Sequence, residues 1–397
     1  MTGPVQAGAL QALPGSARRL RIAVLNRGFS PAGGGAEGYA VALVEQLAQR
    51  HEIHVFAQSI AHAWPGVHYH RIPVLLARPR WINQLWYALA TWWKTRRGFD
   101  LVHSHELTWH GQVQTVHVLP VRHNLLHGLV GGALWLRWLK VASSPRLLAY
   151  LWLEGRRLQP LPLRRIVLTA PSLRVVLLDS YPASAVGACV IPPGVRLPAQ
   201  VPDAHARQQA RQALALPQAG RCVLLVGNDY RKKGLGALIA SLPGLPPDVY
   251  LAVVGKPAQR ARFAAQAASA GLAARVHFLG QMGDVSPAYA AADCLAHPTL
   301  EDTFAMVVLE AMAHGLPVLV SAARYCGIAD MLTDGTHALL LADPTDAAAL
   351  AHGLNRLLQD PALQQSLRHA GLALAASMSW ERAAQEQERV YREVAAA

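Results

Sequence analysis

One pattern constrains this 397-residue chain more than any other: buried strand, glycine-bearing loop, helix, strand, met twice in the same order. Residues 21–26 read as a buried parallel strand. The cluster Gly33-Gly34-Gly35 follows, then helical apolar spacing over 37–50 and an alternating strand over 51–57. Further strands are predicted at 100–104, 114–118, 166–170 and 188–191, with a helix over 149–159. Pro192-Pro193-Gly194 breaks the run, and 199–205 reads as a polar loop. The pattern then restarts with strands at 222–226, 249–254, 276–279, 293–297 and 317–321. Helices are predicted over 235–242, 285–291, 304–314 and 347–358. The expected fold class is α/β, with two Rossmann-like doubly wound domains facing each other across a cleft. The expected boundaries are 1–195, with 1–19 a loose leader, and 196–377. A last helix, about 378–397, is placed to pack back on the first domain. Sheets of this kind direct their strand carboxyl ends toward a shared crevice, where ligands bind.

Charge narrows the ligand. The net charge of +13 favours an anionic partner. Of 37 basic residues only five are lysine, and two of these, Lys232 and Lys233, sit side by side in one glycine-bounded loop. Backbone amides and ammonium groups after a buried strand hold phosphate oxygens well, although basic turns are more often merely solvated. Gly227 opens this loop and Gly234 closes it. Cys189, Cys222, Cys294 and Cys326 form no CxxC pair, so neither a disulfide framework nor a zinc site is expected. A reducing cytoplasm is the expected setting, with the inner face of the cytoplasmic membrane as a peripheral location. No apolar stretch reaches the roughly 18 residues of a membrane span.

Residues 298–317 carry the chemistry. Pro298 closes a strand; Gly315 and Pro317 close a helix. Asp302 or Thr303 is a natural N-cap, leaving the amides of 303–306 as unpaired donors that favour an anion. Glu310 lies two turns on in an apolar run, where a lone carboxylate is costly without a partner. A ribose diol would supply one. Each residue alone has a plainer reading, a simple cap and an exposed face; together they point to a nucleotide site.

Those residues resemble the signature of glycosyltransferase family 4, which has the GT-B fold: two acidic residues separated by seven, then Ala311-Met312-Ala313-His314-Gly315-Leu316-Pro317-Val318. The loop Gly34-Gly35-Ala36-Glu37, the stretch Ile191-Pro192-Pro193-Gly194-Val195 and the lysine loop resemble three further family motifs in the right order. The resemblance implies a retaining, metal-independent hexosyltransferase with no cofactor. Its donor is a nucleotide-diphosphate sugar, best matched by a UDP-sugar carrying glucose. The acceptor is a glycan or glycolipid, and the 226–234 and 117–123 stretches are most like those of lipopolysaccharide core glucosyltransferases. Lys233, with Arg196 or Lys232, would hold the diphosphate. Glu310 would bind the ribose, and Asp302 with the amides of Phe304 and Ala305 the sugar and phosphate. His277, Phe278 and Leu279 would line the base, and His117 would lie near the sugar 6-hydroxyl or else simply pack. The first acidic position is Asp, where Glu is commoner, and Ala305 replaces a usual glycine.

Residues 125–157 hold Trp135, Trp138 and Trp152 with arginines among leucines. They read equally as a surface for anionic lipid and as a helical pair with core faces. Three rival functions remain open. A sugar-nucleotide epimerase shares the two-domain shape but needs no acceptor. A non-catalytic nucleotide-sugar-binding subunit at the membrane is opposed by the intact Asp302, Glu310 and Lys233. A nucleic-acid binder fits the charge but has no binding motif. The 33–38 glycines do not supply the GxGxxG spacing of a dinucleotide enzyme.

Overall fold

The computed structural model describes residues 18–31 and 34–396. Gly33 and most of the expected leader lie outside the described residues. The N-terminal domain runs β1 (Arg21–Leu25), β2 (Gly28–Phe29), α1 (Gly35–Leu47), β3 (Glu52–Ala57), β4 (Ser59–Ile60), β5 (Val67–Arg71), α2 (Arg80–Thr95), β6 (Leu101–Ser104), β7 (Val113–Val116), α3 (Val121–Leu126), α4 (Gly131–Ala142), α5 (Pro145–Leu158), β8 (Arg165–Leu168), α6 (Pro171–Ser180) and β9 (Ala188–Val190). Seven strands pair in the order β5-β3-β1-β6-β7-β8-β9, all parallel, and β2 pairs with β4 in a separate ribbon.

The C-terminal part runs α7 (Ala204–Ala213), β10 (Arg221–Val226), α8 (Leu235–Ser241), β11 (Val249–Val254), α9 (Arg260–Ser269), β12 (Val276–Gly280), α10 (Ser286–Ala291), β13 (Cys294–His297), α11 (Met306–Ala313), β14 (Val318–Ser321), β15 (Leu339–Leu341), α12 (Ala347–Gln359), α13 (Pro361–Ser377) and α14 (Trp380–Ala396). Its six strands pair in parallel order β12-β11-β10-β13-β14-β15. Both sheets are covered on two faces, which is why β11 is buried along its whole length and reads as an unbroken apolar run. Strand order reverses at β1/β6 and at β10/β13, and those two points place the loops that matter.

Several local differences from the sequence expectation have clear causes. α7 begins at Ala204, within the expected polar loop, because the Asp203 carboxylate accepts the Ala206 amide at 2.8 Å. α5 begins at Pro145, ahead of the expected 149, with Ser144 capping and proline in the first turn. The edge strand β5, Val-His-Tyr-His-Arg, has no apolar run to reveal it. α11 begins at Met306, two residues late, because Ala305 is left-handed with φ 72°.

α14 follows the second sheet in sequence yet packs against α1 and β6 of the first domain. Tyr391 Oη lies 2.6 Å from His103 Nδ1, and Trp380 meets the Tyr39 ring edge-on at 5.3 Å between centroids. The crossing passes over Gly194, where an added Cβ would collide with the Trp380 backbone. A side chain there would push α14 off the first domain.

Candidate active site

A cavity of about 500 Å3 opens between the domains at the β10/β13 reversal. Its N-terminal wall includes Gly34, Gly35 and Gly38 at the start of α1; its C-terminal wall includes Gly227, Lys232, Lys233, Asp302, Ala305 and Glu310. Residues far apart in sequence therefore share one space.

The lysine loop is a built turn. Asp229 Oδ1 accepts the Lys232 amide at 3.1 Å, and the Lys233 amide donates to the Asp229 carbonyl at 2.9 Å. Gly227 leaves room for the Lys233 stem, since a Cβ there would stand 2.6 Å from Lys233 Cγ. The Lys232 carbonyl accepts the Leu300 amide at 2.7 Å and the Thr299 hydroxyl at 3.1 Å, which ties this loop to the one after β13. Lys232 pairs with Glu301 at 3.0 Å, half-exposed on both sides. Such a pair is worth little in water, so an incoming phosphate can exchange for Glu301 at small cost.

Asp302 is the hub. It pairs closely with Lys233 Nζ, and its Oδ2 lies 3.1 Å from His297 Nε2. Burial alone would raise its pKa, but the His297 hydrogen bond and the Lys233 charge overcome that and hold it well below the ordinary carboxylate range. An ionised Asp302 only accepts, so His297 donates its Nε2–H. Burial likewise lowers the His297 pKa. The other oxygen, Oδ1, accepts the amides of Ala305 at 2.9 Å and Phe304 at 3.4 Å.

That capping corrects one expectation. The Phe304 and Ala305 amides are spent on Asp302 and are not open to a phosphate. The donors left at the start of α11 are the amides of Met306 and Val307, which have no protein acceptor among the described residues and line the cavity. The left-handed Ala305 stands between the two amides that Asp302 takes and the two that it leaves.

Glu310 is half-buried, and loss of solvent around its carboxyl raises its pKa. Tyr289 Oη donates to its Oε2 at 2.7 Å, leaving Oε1 for a second partner. Other expected residues stand elsewhere. Arg196 pairs closely with Glu45 toward the C-terminal end of α1 and does not line the cavity. His277, Phe278 and Leu279 lie in β12, and Gln281, Met282, Gly283 and Val285 just beyond it form the wall instead. Glu37 does not line it either; its carboxylate covers Gly28, and burial first, then Glu106, raises its pKa.

His117 is set back from the cavity. Its Nε2 lies 2.9 Å from His105 Nδ1, the two rings stack, and its carbonyl accepts the Thr303 hydroxyl at 2.6 Å from the other domain. Burial pushes its pKa down to about 3, so it is a neutral donor or acceptor and not a charge. Sequence reasoning missed His297, Tyr289 and Glu301. His297 lay two residues before Thr299 at a strand end, a detectable position; Tyr289 carries no sequence signal, being brought to Glu310 by the packing of α10.

Residues 33–197 match the family described as Glycosyltransferase Family 4, and residues 206–373 match Glycosyl transferases group 1. The chain is 33% identical over 189 residues to the lipopolysaccharide glucosyltransferase WaaG of Escherichia coli (strain K12), which covers 46% of this chain and 48% of that protein. The chain thus spans about half the length of the curated relatives it matches. The crystal structure of WaaG, a glycosyltransferase involved in lipopolysaccharide biosynthesis, superposes with a TM-score of 0.79 at 22% identity, covering 93% of this chain and 99% of that one. Anabaena Alr3699/HepE in complex with UDP-glucose superposes with a TM-score of 0.74 at 18% identity, covering 94% and 99%. Two facing parallel sheets with their cleft at the reversal points, matched to these two family descriptions in tandem, make this chain a member of the glycosyltransferase family 4 and group 1 enzymes of GT-B fold.

Proposed function

We propose that the chain is a retaining hexosyltransferase that moves glucose from UDP-glucose to a lipopolysaccharide-core-type glycolipid. The observation that carries the reading is the convergence of Lys232, Lys233 and the free Met306 and Val307 amides on one cavity that also holds Glu310. The donor diphosphate lies against the lysines and the α11 amides, and the ribose hydroxyls donate to Glu310. Asp302 orients Lys233 and reaches the donor sugar. The choice of UDP-glucose draws on the likeness to WaaG and to the UDP-glucose complex of HepE.

In the transfer step the acceptor hydroxyl oxygen attacks the anomeric carbon as the bond to the diphosphate oxygen breaks. The hydroxyl proton passes to the departing phosphate on the same face, which retains configuration. Lysine charge and helix amides stabilise the charge that develops on the leaving group, so a divalent ion has no assigned part at the donor.

The acceptor side faces the N-terminal domain. α4 and α5 expose Trp135, Trp138 and Trp152, and α2 exposes Trp93 beneath the Arg96 guanidinium. No helix among the described residues is long and apolar enough to cross a membrane. We assign this aromatic and basic face to peripheral contact with an anionic lipid surface, which brings a lipid-linked acceptor to the cleft.

The test is donor hydrolysis and transfer across a panel of UDP-, GDP- and ADP-sugars, with and without EDTA, and with the product anomer read by NMR. The reading predicts turnover of UDP-glucose, indifference to EDTA, and an α-linked product from the α-donor. Interconversion of the sugar nucleotide without transfer would replace it with the epimerase reading.

A further inference from the structure

A group of metal-ligating side chains lies outside the donor cavity. We propose that His123, His127 and Asp179 form a transition-metal site of the zinc class that clamps α3 to α6. His123 Nδ1 and His127 Nδ1 stand 3.9 and 3.5 Å from Asp179 Oδ2, and the three ligand atoms lie within 4.8 Å of one another. A tetrahedral zinc ion with bonds of about 2.0–2.1 Å separates its ligand atoms by roughly 3.4 Å. Closing this set around an ion therefore needs only small side-chain shifts.

The backbone has already arranged the pair. The two histidines are four residues apart, and the His127 amide donates to the His123 carbonyl at 2.9 Å, so both rings leave the same side of the turn. They stack at 4.2 Å between centroids with 26° between planes, which sets the two Nδ1 atoms toward the same carboxylate. His123 Nδ1 is buried and has no hydrogen-bond partner, an unmet need that a metal ion would fill. His127 and Asp179 are each 62% exposed, which leaves an entry path and room for a water as fourth ligand.

A second histidine group does not fit as well. Glu52, His54 and His68 also gather at one spot. There the Arg21 Nε stands 3.0 Å from Glu52 Oε1 and 3.4 Å from His54 Nε2, so a cation already occupies the ligand atoms. His54 Nδ1 is engaged with His70 at 2.8 Å. This group serves as an internal control.

The clamp has a structural consequence. Glu154 accepts the Val121 and Arg122 amides at 2.6 and 2.9 Å and the Tyr181 hydroxyl at 2.9 Å, which anchors the start of α3. A metal at the other end would fix α3 to α6 at both ends. α3 follows closely on His117, whose carbonyl accepts the Thr303 hydroxyl, so the clamp stiffens the segment that makes this interdomain contact.

The experiment uses the full, untagged chain stripped with chelator, titrated with Co2+ by visible absorption and with Zn2+ by calorimetry, with Tm recorded in each state. The expected result is one equivalent of Co2+ with tetrahedral d–d bands, displaced by Zn2+, and a Zn2+-dependent rise in Tm. His127→Ala and Asp179→Asn, both surface changes, should each weaken Zn2+ by more than about tenfold and remove the Tm rise, and His68→Ala should leave both intact. Three results would overturn the assignment: no saturable binding below millimolar Zn2+, unchanged affinity in both clamp variants, or loss of binding in His68→Ala.

Discussion

The two sheets direct their carboxyl ends into one cleft but furnish it differently. At β10/β13 the C-terminal domain presents charge: Lys232, Lys233, Asp302 and Glu310 around the open end of α11. At β1/β6 and β7 the N-terminal domain presents the glycines that open α1, with the stacked imidazoles of His103, His105 and His117 set back from the cavity. Burial holds His103 and His117 down to about 3, so these two rings are uncharged near neutral pH. The same architecture thus yields one wall rich in charged side chains and another built of glycine backbone. Loop composition, and not the fold, makes the difference.

Four measurements sharpen or break that contrast. Lys233→Ala strikes the charged wall at its centre and leaves Asp302 without its cation; kcat/KM for transfer should fall by about 100- to 1000-fold, and a value near wild type would remove the diphosphate assignment. Glu310→Gln keeps a partner for Tyr289 but weakens acceptance of ribose hydroxyls. The KM for the donor should rise by roughly tenfold, with the acceptor KM unmoved.

The third concerns the neutral side. His110, pushed by burial down to about 3, has both ring nitrogens buried and unpartnered. A lowered histidine pKa means that the unfolded chain binds more protons than the folded one between about 3 and 6.5. The stability it contributes is present above 6.5 and is lost as pH falls. His110→Leu should therefore flatten the decline of Tm between pH 6.5 and 4.5; an unchanged slope would show that His110 is not buried neutral. The smallest effect is expected from Arg196→Ala. Its partner is Glu45, so donor kinetics should change by less than about twofold, as for a pair outside the site. A large rise in donor KM would return Arg196 to the diphosphate.

Much of the site was legible in sequence because its chemistry sits at places where local rules are strict. A lysine pair after a buried strand, and two acidic residues between a proline-ended strand and a Gly-x-Pro stop, are short-range patterns, and Lys233, Asp302 and Glu310 do line one cavity. What failed were statements about direction. The Phe304 amide was expected to face the groove, but Asp302 claims it, and a left-handed Ala305 delays the helix by two residues. Propensity does not report which acceptor an amide finds. Arg196 failed for the same reason, since its competitor Glu45 lies 151 residues away.

The chain by itself determined two parallel α/β sheets and the loops at their carboxyl ends, because strand burial, helix periodicity and glycine placement act over a few residues. Tertiary structure alone decided who pairs with whom. It set Tyr289 on Glu310, Tyr391 on His103 and Asp179 beside the His123–His127 turn. Those partnerships depend on long-range packing of helices on sheets, and no local pattern encodes a distance between residues that meet only after the chain has folded.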